Sequence, residues 1–231
     1  MLLLAMDTST QAGSLAVLRD DRVLGVVSTW VEETYSSRMF RHLEFLLREL
    51  ALDLAHFDAF AVAAGPGSFT GLRVGLTAVK GWSEVYQKPI AAVSGLEAVA
   101  AQARAAEPLL VPVIDARRGQ IYGGLYRRGP GGLNRLGEEC VMTPAEFLAT
   151  VASQAAVAAV AFVTPTPEVL AGSLAASAFR GSPVEQVSTV LAPAIGQLGL
   201  GRAHRGEVVD ALHLDANYIR RSDAELLWKG R

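Results

Sequence analysis

The sequence is poor in the residues that mark secreted, metal-binding and membrane-spanning proteins. A single cysteine, Cys140, excludes an internal disulfide, and no two of the four histidines lie three to five positions apart, as a metal-binding pair on one helix face would require. The longest apolar stretch, 155–163, is far short of the roughly 20 residues that span a bilayer. The apolar start, 1–6, lacks the basic region and the length of a signal peptide. We therefore expect a cytoplasmic protein without a membrane segment.

Lysine is also scarce, and the chain carries little net charge. Three lysines stand beside 18 arginines, and the net charge is −2. Tight, independent binding to nucleic acid relies on neutralising many phosphates, so this charge argues against it. A predicted hairpin within 117–135 nevertheless carries five arginines, which leaves two interpretations open: a local contact with an RNA backbone, or a solvated edge protected by charge. These residues are Arg117, Arg118, Arg127, Arg128 and Arg135.

The most informative stretch is 65–75, which reads Gly-Pro-Gly-Ser-Phe-Thr-Gly-Leu-Arg-Val-Gly. The apolar run 57–64 predicts a strand before it, and Gly-Pro-Gly forces a turn. Apolar spacing then predicts a helix from about Thr70 to Gln87, capped by Ser68 or Thr70. The helix start could bind an anion, but the stretch lacks the lysine of a P-loop and the third glycine of a dinucleotide fingerprint. Neither nucleotide motif is present, and unspecific anion binding stays open.

Patterns elsewhere predict an α/β protein in which one order of elements occurs twice. The first domain, 1–106, has strands at 2–6, 14–18, 23–30 and 90–93, and helices at 36–52 and 96–106, besides the strand and helix around the glycine stretch. The second domain, 107–190, again opens with a strand that ends in Asp, here 109–114 followed by Asp115. Its later elements are strand-like stretches at 120–126 and 133–142, a helix capped by Thr143, a strand at 156–163 and a helix from 166 or 167 to about 178. A helix at 191–204 should return to the first domain, with 205–231 as a tail. We predict a duplicated architecture.

The stretch 65–75 closely resembles the signature G-[PR]-G-S-F-T-G-[LV]-R-[IV]-G of the bacterial TsaB family, also called YeaZ. Three further stretches support the resemblance, at 5–9, 114–122 and 218–220. It implies a two-domain actin, sugar-kinase and Hsp70-like (ASKHA) fold. It also implies a non-catalytic subunit for threonylcarbamoylation of adenosine 37 in tRNAs that read codons starting with A. The expected partners are a TsaD-type catalytic subunit, a TsaE-type ATPase, tRNA only through the complex, and a second copy when the chain is alone.

The chain departs from its ATP-binding relatives at both strand-ending acids. In those relatives the acid lies beside a glycine-rich phosphate turn and holds magnesium through water. Here Asp7 is followed by Thr-Ser-Thr, and Asp115 by Ala-Arg-Arg. We therefore expect no catalytic, cofactor-binding or metal residues in the isolated chain, whereas ATP at a composite site in the complex stays open. The alternatives are a small ATPase or kinase of this fold, a glycoprotease-like (M22) peptidase, for which no G-x-S-x-G elbow is present, and a direct tRNA-binding module.

The predicted partner interface combines the helices at 36–52 and 70–87. The first carries an apolar stripe, widened by Phe40 and Leu47, and the second carries a face with almost no side chains, so the pair could dock as half of a four-helix bundle. The alternative is that the glycine face contacts an internal neighbour in the core. The predicted interface residues are Met39, Leu43, Leu46, Leu50, Gly71, Gly75, Ala78 and Trp82.

Overall fold

The computed structural model describes residues 1–30, 35–155 and 159–219. The chain divides into two compact units: Met1–Gly95 with Thr189–Arg231, and Leu96–Ser188. The second unit begins at Leu96, whereas the sequence predicted a first domain that continues to 106. The backbone N–H groups of Arg104 and Ala105 donate to the Glu185 carboxylate at 2.9 Å, within the second unit. The described part of the predicted tail, 205–219, belongs to the first unit, and 220–231 lies outside the described residues.

The first unit is one mixed sheet with helices on both faces. Its strand order is β3-β2-β1-β4-β5, where β1, β2 and β3 are antiparallel neighbours and β4 and β5 continue the sheet in parallel to β1. The strands are β1 (Leu2–Asp7), β2 (Ser14–Arg19), β3 (Arg22–Ser28), β4 (Ala59–Gly65) and β5 (Ile90–Ser94), and the helices are α1 (Tyr35–Glu49), α2 (Phe69–Tyr86) and α6 (Ala192–His204).

Alternation along the central strands decides which helix covers which face. Leu4 and Phe60 belong to the cluster that also contains the buried residues of α1 and α2. Leu3 and Ala61 point the other way and contact α6 at Gly199. Because successive strand residues face opposite sides, α6 and the pair α1 and α2 enclose the sheet between them. β1 and β4 are buried on both faces, as their continuous apolar sequences indicate.

The second unit is a sheet with the strand order β10-β7-β6-β11-β12, to which β8 adds beside β6 and β9 beside β8. Its strands are β6 (Leu109–Arg117), β7 (Gln120–Gly123), β8 (Tyr126–Gly129), β9 (Gly132–Arg135), β10 (Cys140–Met142), β11 (Val160–Thr164) and β12 (Val184–Gln186), and its helices are α3 (Gly95–Ala101), α4 (Pro144–Ala155) and α5 (Glu168–Ala175). The continuous strands predicted at 120–126 and 133–142 are each interrupted. β12 was not predicted, and 156–158 of the predicted strand 156–163 lie outside the described residues.

The predicted duplication is confirmed by topology. In each unit the five-strand order consists of a hairpin, a third antiparallel strand and then two parallel strands that are each preceded by a helix. The second unit adds α3 before the hairpin, and β8 and β9 before the third strand. β1 corresponds to β6, β4 to β11 and β5 to β12, so Asp7 and Asp115 lie on equivalent strands. None of the helices in the described residues is long and apolar enough to cross a bilayer.

Helix starts agree with the sequence patterns more closely than helix ends. The Ser68 hydroxyl accepts a hydrogen bond from the Gly71 N–H at 3.3 Å, so Ser68 and not Thr70 caps α2. At α4, the Thr143 N–H donates to the Glu146 carboxylate at 3.0 Å and the Glu146 N–H donates back to the Thr143 hydroxyl at 3.4 Å, which is a capping box. The helix predicted to run to 106 ends at Ala101.

The contact between α6 and the sheet gives a stability prediction. A Cβ on Gly199 would lie 2.6 Å from the Cβ of Ala61, a strand residue with no torsion to rotate away, whereas a Cβ on Gly81 of α2 would meet nothing within 4 Å. Both Gly→Ala changes gain helix propensity, but only Gly199→Ala overpacks. We expect Gly199→Ala to be less stable than Gly81→Ala by about 1–3 kcal/mol in urea unfolding. Equal stabilities would contradict this packing of α6.

Candidate functional site

The candidate site is the place in the first unit where three chain segments meet. β1 and β4 are parallel neighbours, so their carboxyl ends lie at the same edge of the sheet. The turn 7–10 follows β1, and the glycine loop 65–68 follows β4 and leads into α2. The third segment, 214–219, reaches the loop from the end of the described chain through a hydrogen bond from the Asn217 N–H to the Ala64 carbonyl at 2.7 Å.

Asp7 uses its carboxylate inside its own turn. One oxygen accepts hydrogen bonds from the N–H and the hydroxyl of Ser9, at 2.8 and 2.6 Å, and the other accepts from the Thr10 hydroxyl at 3.2 Å. The residue is fully buried. Burial raises the pKa of the Asp7 carboxyl above its ordinary value, although the hydrogen bonds from Ser9 and Thr10 oppose this shift. Asp7 therefore acts as a turn residue whose oxygens face protein groups.

The glycine face of α2 packs against this turn. A Cβ on Gly71 would collide with the carbonyl oxygen of Thr8, and one on Gly75 with the Thr8 hydroxyl. The Ser68 N–H donates to the Ser9 carbonyl at 2.9 Å, and the Thr8 hydroxyl donates to the Gly71 carbonyl at 2.7 Å. The close neighbour of Gly71 and Gly75 is therefore internal, which agrees with the alternative interpretation of the glycine face and not with a partner contact there. A bulky residue at Gly75 would test folding and not docking.

The remaining predicted interface residues also face inward. Met39, Leu43 and Leu46 are buried in the core of the first unit, because the stripe that they form covers the sheet. The partly buried residues Leu50, Ala78 and Trp82 pack against the same cluster. The burial of Met39, Leu43 and Leu46 does not agree with a partner interface, whereas for the partly buried Leu50, Ala78 and Trp82 the assignment stays a prediction. The sequence pattern predicts the apolar stripe of α1, but it does not predict that the stripe faces the core of the first unit.

Other apolar side chains of the two helices point outward. Phe40 and Phe45 of α1 are 59% and 48% exposed, and Val85 of α2 is 72% exposed. The term α1–α2 outer face is used below for these three exposed side chains, two on α1 and one on α2. Phe45 was missed, although it lies between Glu44 and Arg48 on the charged side of the helix. The Arg48 guanidinium lies 5.9 Å from the centre of the Phe45 ring. The sequence signal that could have identified Phe45 is an aromatic residue among charged residues on the exposed side of a predicted helix.

The five arginines of 117–135 do not form one patch. Arg127 of β8 pairs opposite Leu109 at the start of β6, whereas Arg117 ends β6, about 26 Å away along the strand at about 3.3 Å per residue. Arg128 donates to the Ala103 carbonyl at 2.6 Å, which is a structural use of its guanidinium. These arginines are close in sequence but not all close in space, so the positive charge at any one place is lower than the sequence suggests.

Two further residues with possible chemistry are half-buried. His42 lies between the Thr29 hydroxyl and the Tyr35 hydroxyl, and its burial, with the charges of Arg38 and Arg41, lowers the pKa of its imidazole. Burial raises the pKa of the Cys140 thiol, and Glu139 adds to this shift. Within the described ranges, no group of three His, Cys, Asp or Glu side chains is placed to hold a metal ion.

The stretches that resemble the TsaB signatures are partly brought together. Residues 5–9, 65–75 and 218–219 meet at the site, and Arg220 lies outside the described residues. The stretch 114–122 forms the β6–β7 hairpin of the second unit. There the Arg117 N–H donates to the Asp115 carboxylate at 2.7 Å, and Arg117 and Arg118 both have left-handed backbone conformations.

Comparison with known proteins gives consistent matches. The family model described as "TsaD: tRNA N6-adenosine threonylcarbamoyltransferase" matches residues 16–197. The "tRNA threonylcarbamoyladenosine biosynthesis protein TsaB" of Bacillus subtilis is 38% identical over 136 residues, which are 59% of this chain and 59% of that protein. The match thus spans about three fifths of the length of this curated relative.

Solved structures extend the likeness to nearly the whole chain. YeaZ from Pseudomonas aeruginosa has a TM-score of 0.78 and 28% identity, covering 94% of this chain and 99% of that one. A more distant match is the (R)-2-hydroxyglutaryl-CoA dehydratase component A of Acidaminococcus fermentans, with a TM-score of 0.53 and 9% identity. It covers 88% of this chain and 99% of that one, and at this identity it shows the fold alone. The predicted ASKHA fold is confirmed.

The buried carboxyl of Asp7 gives a pH prediction. Its pKa is raised in the folded state, because burial favours the neutral carboxyl over the carboxylate. The resulting contribution to the free energy of unfolding is complete below the ordinary carboxyl pKa of about 3.9 and is lost as the pH rises through the raised pKa. Asp7→Asn removes this titration and keeps an acceptor for Ser9. In urea unfolding across that pH range, the stability of Asp7→Asn relative to wild type should therefore increase with pH. A constant or falling difference would contradict the shift.

Proposed function

This chain belongs to the TsaB (YeaZ) family, and on that premise we propose that it is a non-catalytic subunit required for threonylcarbamoylation of adenosine 37 in tRNAs that read codons starting with A. The observation that carries the proposal is the likeness to YeaZ along nearly the whole chain, together with the 38% identity to TsaB of Bacillus subtilis; the family model that matches residues 16–197 is described as TsaD. The protein would act as a binding platform for a TsaD-type catalytic subunit in the cytoplasm. A TsaE-type ATPase would complete the system, and tRNA would bind through the complex.

The non-catalytic role is supported by the use of the Asp7 carboxylate. Both of its oxygens accept hydrogen bonds within the turn 7–10, and the side chain is not exposed. A magnesium-binding acid has to present an oxygen to the ion or to its water shell. Gly67 and Gly71, which could have allowed a phosphate to approach the backbone, instead allow Ser9 and Thr8 to approach. ATP would then bind in the complex, at a site to which the partner contributes.

The docking site that we propose is the α1–α2 outer face. Its aromatic and aliphatic side chains are exposed beside charged neighbours, a composition found at interfaces with an apolar centre and a polar rim. The helices are held against the sheet by their buried stripe and glycine face, so the outer side chains are presented on rigid elements. The same face would serve for self-association of the isolated chain, and the two pairings would compete.

The docking proposal is tested with charge substitutions on exposed residues. Phe45→Glu and Val85→Glu place a carboxylate in the proposed interface without touching the core. We expect each to weaken both self-association and TsaD binding at least about tenfold, close to 1.4 kcal/mol, in analytical ultracentrifugation and titration. Val184→Glu, an exposed valine of β12 in the second unit, is the matched control and should bind as wild type. Folded Phe45→Glu and Val85→Glu proteins that associate normally would place the interface elsewhere.

The assignment as a non-catalytic subunit is tested with Asp7→Asn, which preserves the shape of the turn. We expect no ATP hydrolysis by the isolated chain, and near wild-type tRNA modification by Asp7→Asn in a reconstituted mixture with both partners and ATP. Product formation is measured by nucleoside analysis of the tRNA. ATP turnover by the purified wild-type chain that disappears in Asp7→Asn would overturn the assignment and favour the small ATPase of the same fold.

A further inference from the structure

The end of the described chain, residues 207–219, crosses the first unit as a non-helical segment with one turn at 211–213, and we call it the C-terminal strap. Val209 and Ile90 exchange two backbone hydrogen bonds of 2.8 Å, so the strap begins by pairing with the edge strand β5. Leu214 is buried and belongs to the same core cluster as Leu4 and Phe60. The strap is therefore anchored in the unit before it reaches the glycine loop.

Asn217 and Tyr218, near the end of the strap, contact the glycine loop and the residues on either side of it. The Asn217 N–H donates to the Ala64 carbonyl at 2.7 Å. Gly65 has φ +123°, and a Cβ there would lie 2.5 Å from the Asn217 carbonyl oxygen, so both the backbone conformation and the close approach require glycine. At the first residue of α2, the ring of Phe69 lies 4.9 Å from that of Tyr218, centre to centre.

Arg73 completes this contact. Its guanidinium lies 3.9 Å from the centre of the Phe69 ring, and its Nε donates to the Tyr218 hydroxyl at 3.4 Å. Neither Phe69 nor Arg73 belongs to the core cluster, and neither contacts the turn 7–10 through a hydrogen bond in the described residues. Phe69 and Arg73 are thus the large side chains of the 65–75 stretch that contact the strap and not the turn 7–10.

We propose that the C-terminal strap is a conformational device that fixes the glycine loop and the first turn of α2, with Tyr218 as the positioning residue. Asp7, Thr8 and Ser9 support the loop from one side through their turn, and the strap supports it from the other. Tyr218 is 42% exposed and lies outside the core cluster, so the end of the strap, 217–219, can leave the loop while Leu214 stays buried. The consequence for partner docking on α2 rests on the proposed function, whereas the effect on the loop does not.

Amide hydrogen exchange of the isolated full-length chain tests the proposal. The Asn217 amide reports release of the strap, and the Ser68 and Leu72 amides, which donate to the Ser9 and Ser68 carbonyls, report opening of the loop. In Tyr218→Ala we expect all three amides to exchange roughly two- to tenfold faster than in wild type, as loss of one aromatic pair implies. The Phe60 amide, which donates to the Pro89 carbonyl inside the sheet, should be unchanged.

Two further variants act as controls. Tyr218→Phe keeps the ring contact and loses only the long hydrogen bond with Arg73, so it should exchange like wild type. Leu212→Ala alters a strap residue that is 84% exposed and should also exchange like wild type. The proposal is overturned if Tyr218→Ala releases Asn217 but leaves Ser68 and Leu72 at wild-type rates, if no amide responds, or if Phe60 accelerates equally. These readouts need no partner, so failure of TsaD binding would count against the proposed function alone.

Discussion

The first unit depends on the close packing of α2 against the turn that follows β1. Gly71 and Gly75 allow the helix to approach Thr8 so closely that any side chain would collide with it. Hydrogen bonds then join the two segments in both directions, from Ser68 to Ser9 and from Thr8 to Gly71. Asp7 holds the turn in the shape that these contacts require. The space beside the glycine loop is therefore occupied by the turn 7–10 of the same chain.

The two units share a topology but differ at their equivalent acids. Asp7 is fully buried, and its carboxylate organises a turn that receives a helix. Asp115 is partly exposed and accepts from the N–H of Arg117, at the start of a turn whose next residues are left-handed. Duplication therefore preserved the order of strands, which the core enforces, while the strand ends diverged. Strand ends tolerate such change because the sheet does not depend on their side chains.

Helices α1 and α2 have separate internal and external roles. Met39, Leu43 and Leu46 bury the inner face of α1 in the core, and Phe40 and Phe45 remain outside. An interface built on the outer residues could change its partner without changing the fold, because different side chains serve stability and association. This division of residues supports the proposed platform function.

The sequence by itself determined the duplicated α/β order, the strand and helix around residues 65–75, the cap at Thr143 and the resemblance to TsaB, because periodicity and local hydrogen bonding depend on neighbouring residues. It did not determine which way the stripe of Met39 or the face of Gly75 would point. An apolar stripe fits a core or a partner equally well, and burial is decided by what packs against it. Only the tertiary structure joined Asn217 and Tyr218 to the glycine loop, because contacts between residues about 150 positions apart leave no periodic signal in the chain.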